Sequence, residues 1–143
     1  MRMGQIIPAA FMTIGLTAVS FGAAQAADKV EFGGLFTGEH SATSQPHGDV
    51  KATLDPDTNK LSYSIRWRGL SGPVQAAHFH GPASPDQDAD VIAPIDGPYN
   101  EPLKGTVQLD SEQVAEVMKG QVYVNLHTQA FPNGEARAQL VKQ

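Results

Sequence analysis

The 143-residue sequence contains no cysteine. That excludes a disulfide framework, a thiolate nucleophile and thiolate ligation of a soft metal. It also lacks any Lys/Arg cluster: 10 basic residues stand against 15 acidic ones, a formal charge of −5. Such a balance argues against general binding to nucleic acid or to an anionic lipid surface. No apolar run reaches the ~20 residues that span a bilayer. Ser41, Ser44 and Ser71 have no nucleophile-elbow context, and there is no Gly-rich phosphate loop and no glycosidase-like carboxylate pair. Internal repeats and low-complexity segments are missing as well.

What is present begins with three N-terminal zones. Arg2 and the α-amino group form a short positive start, residues 6–19 (IIPAAFMTIGLTAV) are mostly apolar, and residues 20–26 (SFGAAQA) end in Ala24-Gln25-Ala26. This is the order of a cleavable secretory signal with an A-x-A site. An uncleaved anchor is the competing reading, and the placement of the A-x-A motif favours cleavage. No Cys follows the apolar run, which excludes a lipoprotein anchor, and no Arg pair marks export in the folded state. The expectation is a signal peptide over 1–26 and a single domain over 27–143, periplasmic or secreted, with no membrane span after cleavage. Without Arg2, nine bases face fifteen acids, a charge of −6 on 117 residues. A chain of that size can bury a core without covalent staples.

The remainder alternates short β-patterned runs with Gly, Pro, Asp and Asn punctuation, the pattern of an all-β antiparallel sandwich or Greek-key barrel. Runs fall at 30–37, 48–54, 61–67, 74–80, 91–95, 104–109, 121–128 and 135–141, about eight strands. In 61–67, Leu61, Tyr63, Ile65 and Trp67 alternate with Ser62, Ser64 and Arg66, so period two assigns the first set to the core. Residues 55–59 (DPDTN) form a turn cluster, and Asn133-Gly134 carries a hairpin signal. Residues 110–119 are the one helical candidate. Asp110 is its cap, Gln113 the capping-box partner, Val114, Val117 and Met118 its apolar face, and Gly120 its stop.

All five histidines lie beyond residue 26, at His40, His47, His78, His80 and His127. His78 and His80 form an H-x-H pair on one strand face, about 7 Å apart along the chain. His127 is in phase with Asn125 and Tyr123 on another strand. If the two strands are neighbours, the polar faces unite His78, His80, His127, Asn125, Glu135 and Arg137 in one patch. Neutral imidazoles without thiolates suit copper or zinc. Asn125, Glu135 and Arg137 would stand behind the ligands, with Glu135 or Asn125 orienting a ring. Candidates for a fourth ligand are His47, Glu39 and water. The plainer reading is a set of hydrogen-bonded histidines with an ion pair between Glu135 and Arg137. Residues 86–90 (DQDAD) concentrate acid but lack the EF-hand spacing, so a solvated loop is preferred over a Ca²⁺ loop. His40 and His47 sit in a Ser/Thr/Pro-rich loop and rank below the strand histidines.

The strings H-F-H-G-P (78–82), G-Q-V-Y-V-N-L-H-T (120–128) and F-P-N-G-E-A-R-A-Q-L (131–140) resemble the CHRD domain, first named from chordin and common as single exported bacterial domains. Gly38-Glu39 fits the opening segment of that family. Ala136 and Ala138 stand where the family tends to have a β-branched residue and Gly, and the segment after Glu39 departs further. The resemblance implies a β-sandwich or Greek-key barrel with a His-rich face. In chordin such domains belong to an extracellular antagonist of signalling proteins. The strand-borne H-x-H is also similar to that of copper–zinc superoxide dismutase, where such a pair binds copper.

Three functions follow as expectations. The first is a binding module holding one copper or zinc. The second is a superoxide dismutase-like copper enzyme, with Arg137 attracting the anion. The third is a metal-free domain that binds another exported protein through a sheet face or edge.

Overall fold

The computed structural model describes residues 18–39 and 41–143. Most of the signal-peptide pattern, including Arg2 and nearly all of 6–19, and His40 lie outside the described residues. Residues 18–29 are exposed and carry no regular secondary structure.

Alternation of apolar and polar residues produces strands, and burying one face of each requires two sheets. The strands are β1 (Val30–Leu35), β2 (Thr37–Gly38), β3 (His47–Asp55), β4 (Lys60–Arg68), β5 (Val74–His80), β6 (Val91–Ile95) and β7 (Leu103–Gln108), followed by β8 (Tyr123–Thr128), β9 (Ala136–Gln139) and β10 (Val141–Lys142). One sheet runs β10-β1-β3-β4-β7 and the other β2-β9-β8-β5-β6, all antiparallel. The result is an open sandwich. The Greek-key barrel named beside it above is not formed, because the two sheets do not close on each other.

The first and last expected runs each appear as two strands. Each run begins in one sheet and ends in the other, with Phe36 and Leu140 buried at the crossings. Gly34 belongs to this junction: a Cβ there would lie 2.4 Å from the Gln139 carbonyl oxygen. The small, fully buried Ala138 stands on the other side of the same contact, its Cβ 3.4 Å from that position.

The core between the sheets holds Phe32, Leu54, Leu61 and Ile65 from one side and Phe79, Ile95, Val124 and Leu126 from the other. Tyr63 and Phe79 meet edge to face across the sandwich, with ring centroids 5.4 Å apart. The β3–β4 turn forms as its residues dictate. Asp55 Oδ1 accepts from the Asp57 and Thr58 amides, and Asn59 takes the left-handed conformation that Asn tolerates.

Helix α1 (Ser111–Met118) has the expected capping box between Asp110 and Gln113. Val117 is its buried anchor; Met118 is exposed rather than part of the packed face. The Asn133-Gly134 signal marks a turn, but seven residues, 129–135, separate β8 from β9, so it is not a two-residue hairpin. Only Gly134 has positive φ there, and a Cβ on it would strike Asn125.

Candidate metal centre

Sheet geometry assembles the histidines. Phe79 and Ala77 of β5 point into the core, so His78 and His80 project from the opposite face. β5 and β8 are antiparallel neighbours, with His78 opposite Asn125, His80 opposite Tyr123 and Ala76 opposite His127. The three rings therefore converge: one ligating nitrogen from each of His78, His80 and His127 lies within 4.8 Å of the others. His78 Nδ1 is 3.2 Å from His127 Nε2. A tetrahedral ion bonded at ~2.0–2.1 Å holds two ligand nitrogens about 3.3–3.4 Å apart, so this pair already has the spacing of two ligands on one ion.

Backbone carbonyls fix the tautomers. His80 Nδ1 lies 2.9 Å from the Ala89 carbonyl oxygen and His127 Nδ1 lies 2.9 Å from that of Pro132. A carbonyl can only accept, so the proton sits on Nδ1 and the lone pair on Nε2 in both rings. The His80 Nε2 lone pair is buried and has no hydrogen-bond partner. A buried acceptor left unpaired is costly, and a cation is one group that would satisfy it. Burial lowers the His78 pKa, and the neighbouring His127 and His80 lower it further. Burial also lowers that of His80. The Ala89 bond and the Glu39 charge oppose the shift, whereas His127 and Arg137 reinforce it. Neutral imidazole, the ligating form, is thereby favoured.

The three rings are half-buried, and the side chains beside them are more deeply covered. Tyr123, Asn125 and Arg137 are all buried, Tyr123 and Arg137 beneath residues 83–90, which roof this end of the sheet, and Asn125 against Glu39 and Gly134. Arg137 holds the roof down: Nη1 donates to the Gln87 carbonyl at 2.7 Å and Nη2 to that of Ser84 at 2.9 Å. Gln139 donates to the Ala83 carbonyl. The guanidinium carbon lies 3.6 Å from the centre of the Tyr123 ring, whose other face stacks on His80 at 5.0 Å. The Tyr123 hydroxyl lies against the backbone of Ala89, whose carbonyl orients His80. Tyr123 is thus a site residue that the sequence reading left out of the patch. Its phase with Asn125 and His127 was the available signal. The Ala89 and Pro132 carbonyls had none, because a backbone acceptor leaves no mark in residue type. The acidic side chains of the loop are exposed, as expected of a solvated loop; Asp86 accepts from Ser84, and Asp88 lies 3.6 Å from Arg137.

Other expected partners are placed elsewhere. Glu135 is fully buried, and its carboxylate accepts from Ser44 Oγ at 2.6 Å, the Ser71 amide at 2.6 Å, Ser71 Oγ at 2.7 Å and Thr128 Oγ1. Burial alone would raise its pKa; the bonds from Ser44, Thr128 and Ser71 outweigh that and hold it below the usual value. Glu135 therefore pins loops and forms no ion pair with Arg137, whose two terminal nitrogens donate to roof carbonyls. Asn125 donates to Glu39 at 2.7 Å, not to a ring. The ring-orienting role assigned to these side chains falls instead to the two carbonyls. His47 lies on the other sheet, opposite Arg68, with its ring at 3.3 Å from the Gln45 carbonyl oxygen, far from a role as fourth ligand. Glu39 is buried, and with His80, Asp88, Tyr123, Asn125 and Asn133 it lines a recess of about 250 Å³.

A profile of the CHRD domain matches residues 32–140. The chain belongs to the CHRD domain family. The match covers every strand of this CHRD domain from Phe32 onward except β10, and all three clustered histidines. No curated protein and no solved structure matches the chain.

Proposed function

We propose that this CHRD domain is an exported binding protein that holds one copper or zinc ion through His78, His80 and His127. The observation that carries the reading is the buried, unpaired Nε2 of His80 beside a 3.2 Å pair of imidazole nitrogens. Tautomer control by Ala89 and Pro132 supports it, since a ligating imidazole is usually held by a hydrogen bond from its other nitrogen. Three imidazoles without a thiolate suit Cu²⁺ and Zn²⁺. A three-protein-ligand set leaves a coordination position for water or another small molecule. The N-terminal pattern of residues 1–26 supports export, with 27–143 as the working domain and the periplasm or exterior as the place where the ion is met.

The superoxide dismutase-like reading draws less support. It relies on Arg137 to attract an anion, yet that side chain is 8% exposed and donates to loop carbonyls. The reading of a metal-free interaction domain leaves the His80 lone pair unexplained. The deciding experiment is copper and zinc content by mass spectrometry, with wild type and His127→Ala purified from the periplasm of an expression host. Wild type is expected to carry close to one ion per chain and the variant far less. A wild-type protein that stays metal-free after incubation with both ions removes this function.

A further inference from the structure

The three rings are not held alike. His80 is tied through Nδ1 to the Ala89 carbonyl and stacks on Tyr123, and His127 is tied through Nδ1 to the Pro132 carbonyl. Both present Nε2 as a lone pair before any ion arrives. No backbone group holds His78. Among the described residues its Nδ1 has one polar neighbour, His127 Nε2 at 3.2 Å, and its ring contacts are with the other two histidines. Its Nε2 has no hydrogen-bond partner there and, unlike His80 Nε2, is not buried.

Sheet position explains the difference. His80 pairs with Tyr123 beneath the roof, and His127 lies against the turn at 129–135. His78 stands between them, and its neighbour on the side away from β8 is the exposed Pro94 of β6. Pro94 has neither a donor nor a long side chain with which to hold the ring. The proton on His78 is also placed differently. His127 Nε2 carries a lone pair, so in the metal-free chain the proton between the two nitrogens lies on His78 Nδ1. Ligation needs that same nitrogen free of its proton.

Resting on the metal reading above, we infer that His78 is the exchange ligand: the ion enters and leaves on its side, and a neutral imidazole-type nitrogen donor takes its place when the ion is handed on. On loading, His78 Nδ1 gives its proton to water, Nε2 takes one from water, and the freed Nδ1 lone pair bonds the ion. No net proton is released and no oxidation state changes. On release, an incoming imidazole lone pair bonds the ion as the bond from His78 Nδ1 breaks. One neutral nitrogen replaces another, so the charge and the donor set of the ion stay the same. His80 and His127 keep their protons on Nδ1 throughout.

The test uses the full chain labelled with nitrogen-15, with and without one equivalent of diamagnetic Zn²⁺. Long-range proton–nitrogen spectra read the tautomer of each ring. Without metal all three are expected in the Nδ1–H form. With zinc, His80 and His127 are expected to stay there and His78 alone to move to the Nε2–H form. A second measurement is the Zn²⁺ affinity of His78→Gly and His80→Gly with and without free imidazole, corrected for the zinc that imidazole itself binds. Both variants are expected to lose more than the ~10–100-fold that a missing ring-orienting group costs. Imidazole is expected to return at least about tenfold of that loss in His78→Gly but not in His80→Gly, whose ring place lies under the roof. His78 keeping its metal-free tautomer with zinc bound, or imidazole rescuing His78→Gly no better than His80→Gly, overturns the inference while the metal site stands. Absence of bound zinc in wild type instead overturns the metal reading, and the inference with it.

Discussion

His78 Nδ1 and His127 Nε2 face each other at 3.2 Å across the β5–β8 pair. With the His127 proton held on Nδ1 by the Pro132 carbonyl, its Nε2 offers a lone pair toward His78. The contact serves either as an N–H···N hydrogen bond or as two ligands on one ion. The buried lone pair of His80 favours the second.

Removing one ring should therefore cost most of the affinity. Changes to groups that only orient a ligand cost ~10–100-fold, so His127→Ala should weaken Cu²⁺ or Zn²⁺ by more than about 100-fold in a competition titration. His47→Ala, on the other sheet, should leave the affinity unchanged. Equal losses in the two variants would place the ion elsewhere.

Arg137→Met should free the roof without touching a ligand. Residues 83–90 are expected to exchange amide hydrogens faster, and affinity to fall about 10–100-fold as His80 loses its fixed orientation. Nitrogen-15 spectra of the metal-free protein should show the His80 Nδ1 proton broadened. An unchanged His80 signal together with unchanged exchange would show that the guanidinium does not hold the loop.

Glu135→Ala should be mainly a stability change. It removes the acceptor shared by Ser44, Ser71 and Thr128, of which only Thr128 is buried, a loss of roughly 1–3 kcal/mol by chemical denaturation. The metal affinity of the folded fraction should stay within a few-fold, since the carboxylate touches no ring. A large affinity loss with little destabilisation would return Glu135 to the role of ring orienter.

Acid should weaken the metal-free domain in two steps. The folded pKa values of His78 and His80 are lowered from 6.5, so the unfolded chain takes up protons first. Stability contributed by neutral rings is present above that value and is lost as pH falls through the lower folded values. Glu135 is lowered from 4.5, so its contribution persists to lower pH and then disappears. Urea midpoints from pH 7.5 to 3 should fall in both windows, and replacing His78 and His80 by Asn should flatten the upper one. A midpoint that rises on acidification toward pH 5.5 would contradict the sign.

How far residue order alone reaches is visible in particular elements. Period-two alternation at Leu61, Tyr63 and Ile65, and at Ala77 and Phe79, is enough to assign core faces, because the pleat has no other period. The same rule puts His78, His80 and His127 on one kind of face. It says nothing about what covers that face. Residues 86–90 read as a solvated acidic loop, and their acidic side chains are exposed; what residue type does not show is that the Ser84, Gln87 and Ala89 carbonyls meet Arg137 and His80. Glu135 and Arg137 read as a natural pair because they are two residues apart and opposite in charge, and each is claimed by partners distant in sequence. The crossings at Phe36 and Leu140 are equally hidden, since a strand that changes sheets keeps its local pattern.

The most direct measurement is a crystal structure of the protein soaked in Zn²⁺ or Cu²⁺, with anomalous difference maps at the absorption edge of the metal. The account predicts one strong peak about 2.0–2.1 Å from a nitrogen of each of His78, His80 and His127. A well-ordered His cluster with no peak between its rings, or a peak bound only by surface carboxylates, would contradict it.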